Sequence, residues 1–369
     1  MSLQERQERL LALHEAVAHI ADPHHTLGIA YRRRLRESHP LSAPNWETAI
    51  NESLEHTTSR SGLLQLLKIA PPAPAAHVQL AGNVFLGAYR AIALALAQTS
   101  RVKVRASRRD GAMAELLFDA TRGAFELVDE LDAEPGDHVW AYGSDSTLEK
   151  LKGQLPAGCH LHPHGSGMGV AVLFEPQTKP EVDLDTAALG LALDTALFDQ
   201  RGCLSPRMVI VEGSRQYAED FADALYKALV QVEESIPRGK LTSSEQADIF
   251  RWETTVSYLG SSARAGAGML FVDPEENRLV VPPIGRNLHL CVTSNALELL
   301  QPIGGQITSF GIYGTSSFPA QFEEKLKGQP LNSGLIDSGE RRFSPFGKMQ
   351  MPAFDGPVDK RVGFRSLII

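Results

Sequence analysis

Asp199-Gln200-Arg201-Gly202-Cys203-Leu204-Ser205-Pro206 separates an apolar helical run, Ala187 to Phe198, from a strand-like run that begins near Met208. A helix feeding a strand through so short a connection is the building unit of an α/β fold. The same residues place a thiol on a turn, where its backbone N–H lies outside any helix ladder and can point at a substrate oxygen. Nucleophiles are commonly presented in this way. A lone cysteine is also at home as a small buried apolar residue, and these eight residues by themselves leave both readings open.

Outward from this segment the patterns alternate in both directions. Before it, apolar runs predict strands at Val78–Leu80, Val102–Val104, Val139–Tyr142 and Val170–Phe174, interleaved with helices at about Val84–Ala97, Ala112–Ala120 and Thr147–Leu155. Such alternation predicts a doubly wound, largely parallel sheet. After it, a helix over 215–233, strands over 269–272 and 288–292, a helix over 294–300, a strand over 308–313 and a helix over 318–327 predict a second α/β unit. Residues 235–268 fit no single pattern. The first 69 residues read as helices, with Leu10, Leu11, Leu13, Ala16, Val17 and Ile20 at helical spacing and Asp22-Pro23 closing the first. Pro71, Pro72 and Pro74 form an extended connector, and Pro176 to Pro180 reads as the crossover between two domains.

The chain has 369 residues, 43% of them hydrophobic, enough for two domains with sizeable cores. With 44 Asp and Glu against 36 Lys and Arg, its net charge is −8. Its basic cluster, Arg101, Lys103, Arg105, Arg108 and Arg109, is local, which argues for a bound anion rather than a nucleic acid. Three cysteines (Cys159, Cys203, Cys291) are few and odd in number, as expected in a reducing compartment. The amino terminus, MSLQERQERLLALHEA, lacks the apolar core of a signal peptide, and no apolar run approaches the roughly 18 residues of a membrane span. The cytoplasm is the expected location.

Several residues carry chemistry. Asn83, in Ala81-Gly82-Asn83, sits where a helix is expected to begin and would serve as its N-cap. Arg105 and Ser107 belong to the basic run Val104-Arg105-Ala106-Ser107-Arg108-Arg109, in which guanidinium groups match phosphate oxygens. Gly143 and Ser144 end a strand and open a helix, a setting in which backbone N–H groups meet a pyrophosphate. Gly165-Ser166-Gly167-Met168-Gly169 precedes a strand and is not a dinucleotide fingerprint. Cys159, His160, His162 and His164 alternate as metal ligands would, yet Pro163 argues against a regular strand and no acidic partner completes a tetrahedral set. No metal is expected. Cys291, flanked by Leu290 and Val292, reads as core.

From Asp194 through Pro206 the chain resembles the nucleophile segment of the aldehyde dehydrogenase superfamily, and in particular its fatty acyl-CoA reductase branch, the LuxC family of bacterial aldehyde synthesis. Three further segments are similar and fall in the family's order: His77 to Asp110, Trp140 to Phe174 and Phe343 to Asp355. The lead-in around Asp22-Pro23 and Asn45 to Leu67 is similar too. The resemblance implies an aldehyde-dehydrogenase-like α/β fold. Its halves would be a Rossmann-like NADP-binding domain at 1–178, with its helical lead-in and completion by 346–369, and a catalytic domain at 179–345.

The resemblance also implies roles. Cys203 would be the acyl-carrying nucleophile, with the Asn83 amide and the Cys203 N–H holding the oxyanion. His164 is the candidate for the thiol proton, since neutral imidazole titrates in the right range. Arg105, Ser107, Gly143 and Ser144 would contact the cofactor, and the basic run favours NADPH over NADH. Where hydrolytic relatives have a Glu that activates water, this chain has Pro163 or His164, so an acyl-cysteine should resist hydrolysis. The expected activity is NADPH-dependent reduction of acyl-CoA, or another acyl thioester, to the fatty aldehyde. Homo-oligomerisation is compatible with it. The alternative is an acyl-group carrier or transferase that uses Cys203 without nicotinamide chemistry.

Overall fold

The computed structural model describes residues 3–176, 183–314 and 342–352. Four helices lead in: α1 (Leu3–Ala21), α2 (Thr26–Ser38), α3 (Ala43–Ser53) and α4 (Arg60–Ile69). Ser42 caps α3 and Ser59 caps α4 by accepting a backbone N–H, and His25 does the same for α2. Each cap satisfies a donor that the first turn leaves open. Leu10, Leu13, Val17 and Ile20 of α1 are fully buried. Arg6 and Arg9 then tie α1 to the next layer, donating to Ala97 O and Ser100 O, both at 2.6 Å.

The first sheet is built from β1 (Ala76–Gln79), α5 (Gly87–Gln98), β2 (Val102–Arg105), α6 (Ala112–Ala120), β3 (Glu126–Leu127), β4 (His138–Tyr142), α7 (Asp145–Gln154) and β5 (His160–His164). Its strands are all parallel, in the order β3-β2-β1-β4-β5. The winding therefore reverses between β1 and β4. In such sheets ligands bind beyond the carboxyl ends of the strands flanking that reversal, which here means the loops starting at Leu80 and Gly143.

Two expectations change here. His160–His164 is a strand despite Pro163, because among the described residues β5 is the sheet edge and pairs with β4 alone, so a missing N–H costs no ladder bond. Helix α5 starts at Gly87, and its N-cap is Leu86 rather than Asn83.

The second sheet contains β6 (Met168–Phe174), α8 (Leu184–Ala196), β7 (Pro206–Glu212), α9 (Arg215–Ser235), α10 (Ser243–Ser257), β8 (Ser262–Ala265), β9 (Gly268–Val272), β10 (Asn287–Thr293), α11 (Ala296–Leu300), β11 (Ile307–Tyr313) and β12 (Arg342–Pro345). The order is β12-β11-β6-β7-β10-β9-β8, and only β8 runs antiparallel. Strands β6 and β10 are buried at every residue; β6 accordingly reads as a continuous apolar run, while β10 also buries Asn287, His289 and Thr293. Residues 235–268 resolve into α10 and β8. Thr242 and Glu245 form a reciprocal capping box at the start of α10.

Strand pairing also moves the expected domain limit at 178. Strand β6, read with the first half, is hydrogen-bonded to β7 and β11 in the second sheet. The chain thus passes between sheets at Gly165-Ser166-Gly167, where a short glycine-rich link suffices. Most of the Pro176–Pro180 connector and the helix expected over 318–327 lie outside the described residues.

Candidate active site

Helix α8 ends at Ala196, and the next residues force the turn. Phe198, Asp199 and Gln200 have φ of 59°, 49° and 62°, three consecutive left-handed residues without a glycine. Each such residue costs on the order of 1–3 kcal/mol and persists only where its surroundings over-determine it. Asn45 on α3 accepts from Phe198 N at 3.1 Å and donates to Ala196 O at 2.9 Å and Asp199 Oδ1 at 3.1 Å. Arg286 pairs with Asp199 at 2.7 Å, and Gly239 N donates to its other oxygen at 2.9 Å. Gln200 bridges Pro206 O and Asn287, each at 2.9 Å. Asp199 has no exposed surface; its charge is balanced by Arg286 and Arg201.

This stalk carries Cys203, which is half-buried and in no disulfide. Its carbonyl accepts from the Thr308 hydroxyl, and the Leu204 carbonyl accepts from Ser309 at 3.3 Å. Thr308 sits at the irregularity in the β6–β11 pairing, where a bulge re-aims a side chain. Gln350 donates to Ser205 Oγ at 3.1 Å and to Asp194 O at 3.2 Å. The thiol thus sits on a turn held by α3, β10, β11 and the segment after β12. None of these anchors has a site signal in the sequence; apart from Gln200 and Ser205, they come from distant parts of the chain.

Asn83 meets this turn directly. Its side-chain amide donates to Arg201 O at 3.0 Å, two residues before Cys203, while the residue itself is exposed. It is not a helix cap, which corrects the expectation. Its orientation instead comes from the turn that bears Cys203.

The segment after β12 is seated on α8. Gly347 N and Met349 N donate to the Asp194 carboxyl at 2.6 and 3.0 Å. A Cβ on Gly190 would lie 2.9 Å from the Phe346 carbonyl carbon, so this face of α8 admits the segment only with glycine there. Of the segment 346–369, expected to complete the first half, residues 346–352 are described; 346–350 contacts α8 and Ser205 of the second half, and Pro352 O accepts from Arg90 on α5 at 3.2 Å.

Burial pushes the Asp194 carboxyl up to about 7, against the pull of the Gly347 and Met349 N–H groups. An unfolded Asp titrates near about 3.9. Between these values the folded state binds more protons, so stability falls as pH rises through the interval, by at most about 1.4 kcal/mol per pH unit. Asp194→Asn should therefore gain on the wild type between about pH 4 and 7, whatever its fixed cost. Denaturant unfolding at pH 5 and pH 7.5 measures this, and parallel profiles would show that Asp194 does not titrate there.

The proposed cofactor contacts gather at the carboxyl edge of the first sheet. Arg105 ends β2 and donates to the Gln79 side chain at 3.3 Å across the β1–β2 register. Ser107 accepts from Arg109 N at 3.2 Å, and Arg108 and Arg109 are exposed. A Cβ on Gly82 would lie 2.6 Å from Ser107 Oγ and 3.0 Å from Arg109 Cβ, so the loops after β1 and β2 close on one another only with glycine there. Gly143 N donates to His164 O at 3.1 Å, and Ser144 caps α7. Ser166 N donates to Asp145 Oδ1 at 2.8 Å. Guanidinium groups, a capped helix start and closed glycine loops at the sheet reversal suit a phosphate-bearing dinucleotide.

The histidines form a stacked array. His162 stacks on Trp140 with centroids 4.0 Å apart, and His164 on Tyr142 at 4.4 Å. His138 Nδ1 and His162 Nε2 are 3.0 Å apart, and burial holds His162 well below the usual imidazole range. Among the described residues no His, Cys, Asp or Glu group is arranged to hold a metal. Cys291 is fully buried, and burial pushes its thiol up to about 11.

A sequence model of the acyl-CoA reductase (LuxC) family matches residues 116–356. A long-chain acyl-protein thioester reductase of Aliivibrio fischeri is 23% identical over 209 residues, which are 55% of this chain and 41% of that protein. The match thus spans less than half of that relative. Among solved structures, an oxidoreductase from Marinobacter aquaeolei superposes with a TM-score of 0.71 at 12% identity, covering 99% of this chain and 83% of that one. An NAD-dependent aldehyde dehydrogenase from Sinorhizobium meliloti gives 0.65 at 14%, covering 94% and 75%. An NADP-dependent glyceraldehyde-3-phosphate dehydrogenase from Bacillus halodurans gives 0.61 at 13%, covering 89% and 78%. At these identities the superpositions establish the fold, which is aldehyde-dehydrogenase-like. The family match runs from within α6 through β3, β4 and β5 of the first sheet and the whole of the second, past the turn that bears Cys203, and on that extent the chain belongs to the acyl-CoA reductase (LuxC) family.

Proposed function

We propose that this chain reduces an acyl thioester, acyl-CoA or its carrier-protein equivalent, to the fatty aldehyde with NADPH through an acyl-Cys203 intermediate. The observation that carries this reading is the bond from the Asn83 amide to Arg201 O: it brings the amide that we assign to the oxyanion from the first half to the thiol-bearing turn of the second. The family membership and the activity named for the Aliivibrio fischeri relative support it. The first half would be the cofactor domain and the second the catalytic domain. None of the described helices is long and apolar enough to cross a membrane.

Cys203 as thiolate attacks the thioester carbonyl, and the Asn83 amide with the Cys203 N–H holds the oxygen as it gains charge. Exchange of one thioester for another is nearly isoenergetic, so CoA departs without strong activation. We assign the thiol proton to His164. Stacking on Tyr142 engages the faces of its ring, which is compatible with proton exchange at the ring nitrogens. Strand β5 carries no carboxylate to activate water, so the acyl-cysteine persists. NADPH, when bound, supplies the hydride, and Arg105, Ser107, Gly143 and Ser144 would hold it. Collapse of the tetrahedral adduct then releases aldehyde and restores the thiolate.

Arg105→Leu tests the cofactor. It should raise the apparent KM for NADPH about tenfold and that for NADH much less, since only NADPH has a 2′-phosphate to lose a charge-assisted contact. Equal effects on both would leave Arg105 as a partner of Gln79 alone. Acyl transfer with no consumption of NADPH would favour the transferase alternative.

A further inference from the structure

Arg342 opens β12 and pairs in register with Ser309 on β11. Paired residues on neighbouring strands project to the same sheet face, and Ser309 uses that face to hold the Leu204 carbonyl. The guanidinium therefore lies on the side of the Cys203 turn. It is only 6% exposed. Its Nε donates to Ser344 Oγ at 2.9 Å and its Nη2 to Lys348 O at 2.6 Å, but Nη1 is buried without a hydrogen-bond partner. A buried, unsatisfied donor on a cation is costly and calls for a counter-charge.

Among the described residues, the charged and titratable groups within electrostatic reach of Arg342 are Arg90 from α5, Glu55 from the segment after α3, Asp194 from α8, and Cys203. Arg90 is already paired with Glu55, Nε to Oε2 at 3.2 Å. Both Asp194 oxygens accept backbone N–H bonds, and near neutrality this carboxyl is partly protonated. Two guanidinium groups thus face less than two full negative charges. Among the described residues, Cys203 is the remaining group in reach that can become an anion.

We propose that Arg342 is a positioning residue whose buried charge, with its unsatisfied Nη1, holds Cys203 as the thiolate before substrate arrives. This rests on the assignment of Cys203 as nucleophile. The step is loss of the S–H proton alone, which passes through a base to solvent. Acylation removes the thiolate and leaves the cation without its partner, so the final collapse that regenerates the thiolate is favoured.

The test is the pH dependence of Cys203 alkylation by iodoacetamide, followed on the full chain by mass spectrometry without cofactor or substrate. Alkylation tracks the thiolate fraction. R342Q should raise the midpoint by about one pH unit and slow alkylation about tenfold at neutral pH. R342K, which keeps the charge but loses the fork to Ser344 and Lys348, should stay within about threefold of wild type. A wild-type profile for R342Q, or equal shifts in both variants, would overturn the proposal.

If R342Q does not fold, wild type and C203S answer the same question. A thiol whose pKa is lowered by folding contributes stability above its unfolded pKa, lost as pH falls through the folded one. The advantage of wild type over C203S should therefore grow as pH rises from about 6 to 8.5. A flat difference would contradict the proposal. An Arg342-dependent profile in a protein that reduces no acyl thioester would leave this pairing standing and remove the proposed activity. Acyl-CoA reduction with an unmoved profile would do the reverse.

Discussion

Cys203→Ser is expected to lower acyl-CoA reduction by about a thousandfold or more, because a hydroxyl at neutral pH is a far weaker nucleophile than a thiolate and its ester is a poorer leaving partner for the second half of the reaction. The fold should survive. The turn is held by Asn45, Arg286, Gln200, Thr308 and Gln350 through backbone groups and neighbouring side chains, none through the Cys203 sulfur. NADPH binding, assigned to the first sheet, should also be unchanged. Steady-state kinetics with cofactor titration by fluorescence would check both. Turnover that persists in the Ser variant, with label on Cys159, would move the nucleophile elsewhere.

Asn83→Ala should lower turnover by about a hundred- to a thousandfold, the usual effect of removing one oxyanion donor, with little change in acyl-CoA affinity. Because Asn83 caps no helix, the structural cost is only one exposed hydrogen bond to Arg201 O, worth about 1 kcal/mol. The kinetic and thermal measurements therefore separate cleanly. A variant with near-normal turnover and a lower Tm would reduce Asn83 to a brace for the nucleophile turn. Cys203 itself would then keep its assignment.

Legibility in the sequence followed the range of the interaction concerned. Helix α6 coincides with its expected limits at Ala112 and Ala120 because a periodic apolar face is a local signal. Strands β6 and β7 are visible for a similar reason, through the apolar runs Val170–Phe174 and Met208–Val211, and β10 through the apolar residues Leu288, Leu290 and Val292 at alternate positions. Strand β5 was obscured by Pro163, since nothing local says that a strand will be an edge. Strand β12 carries one Phe among Arg, Ser and Pro and owes its place to β11, a partner distant in sequence. The start of α10 is marked in the sequence by Thr242-x-x-Glu245, which has the spacing of a capping box.

At the site, the turn bearing Cys203 was legible because an apolar helix stops there. What fixes it was not. Asp199 meets Asn45 and Arg286, which lie 154 and 87 residues away in the chain, and only the tertiary fold brings them together. Asn83 stands out in the sequence as a candidate, but its expected support, a helix N-cap, is replaced in the fold by the bond to Arg201 O. Arg342 had no sequence signal beyond its nearness to Phe343-Ser344-Pro345, because its burial and its orphaned Nη1 exist only once β12 is laid against β11.

The central claim is that acyl groups pass through Cys203 on their way to aldehyde, and a single-turnover trapping experiment addresses it most directly. Protein mixed with acyl-CoA in the absence of cofactor should gain one acyl mass, localised to the Cys203 peptide and stable to hydrolysis over the assay. NADPH added next should remove that mass and release one equivalent of aldehyde. Absence of the adduct, its location on another residue, or its discharge as free acid instead of aldehyde would contradict the account.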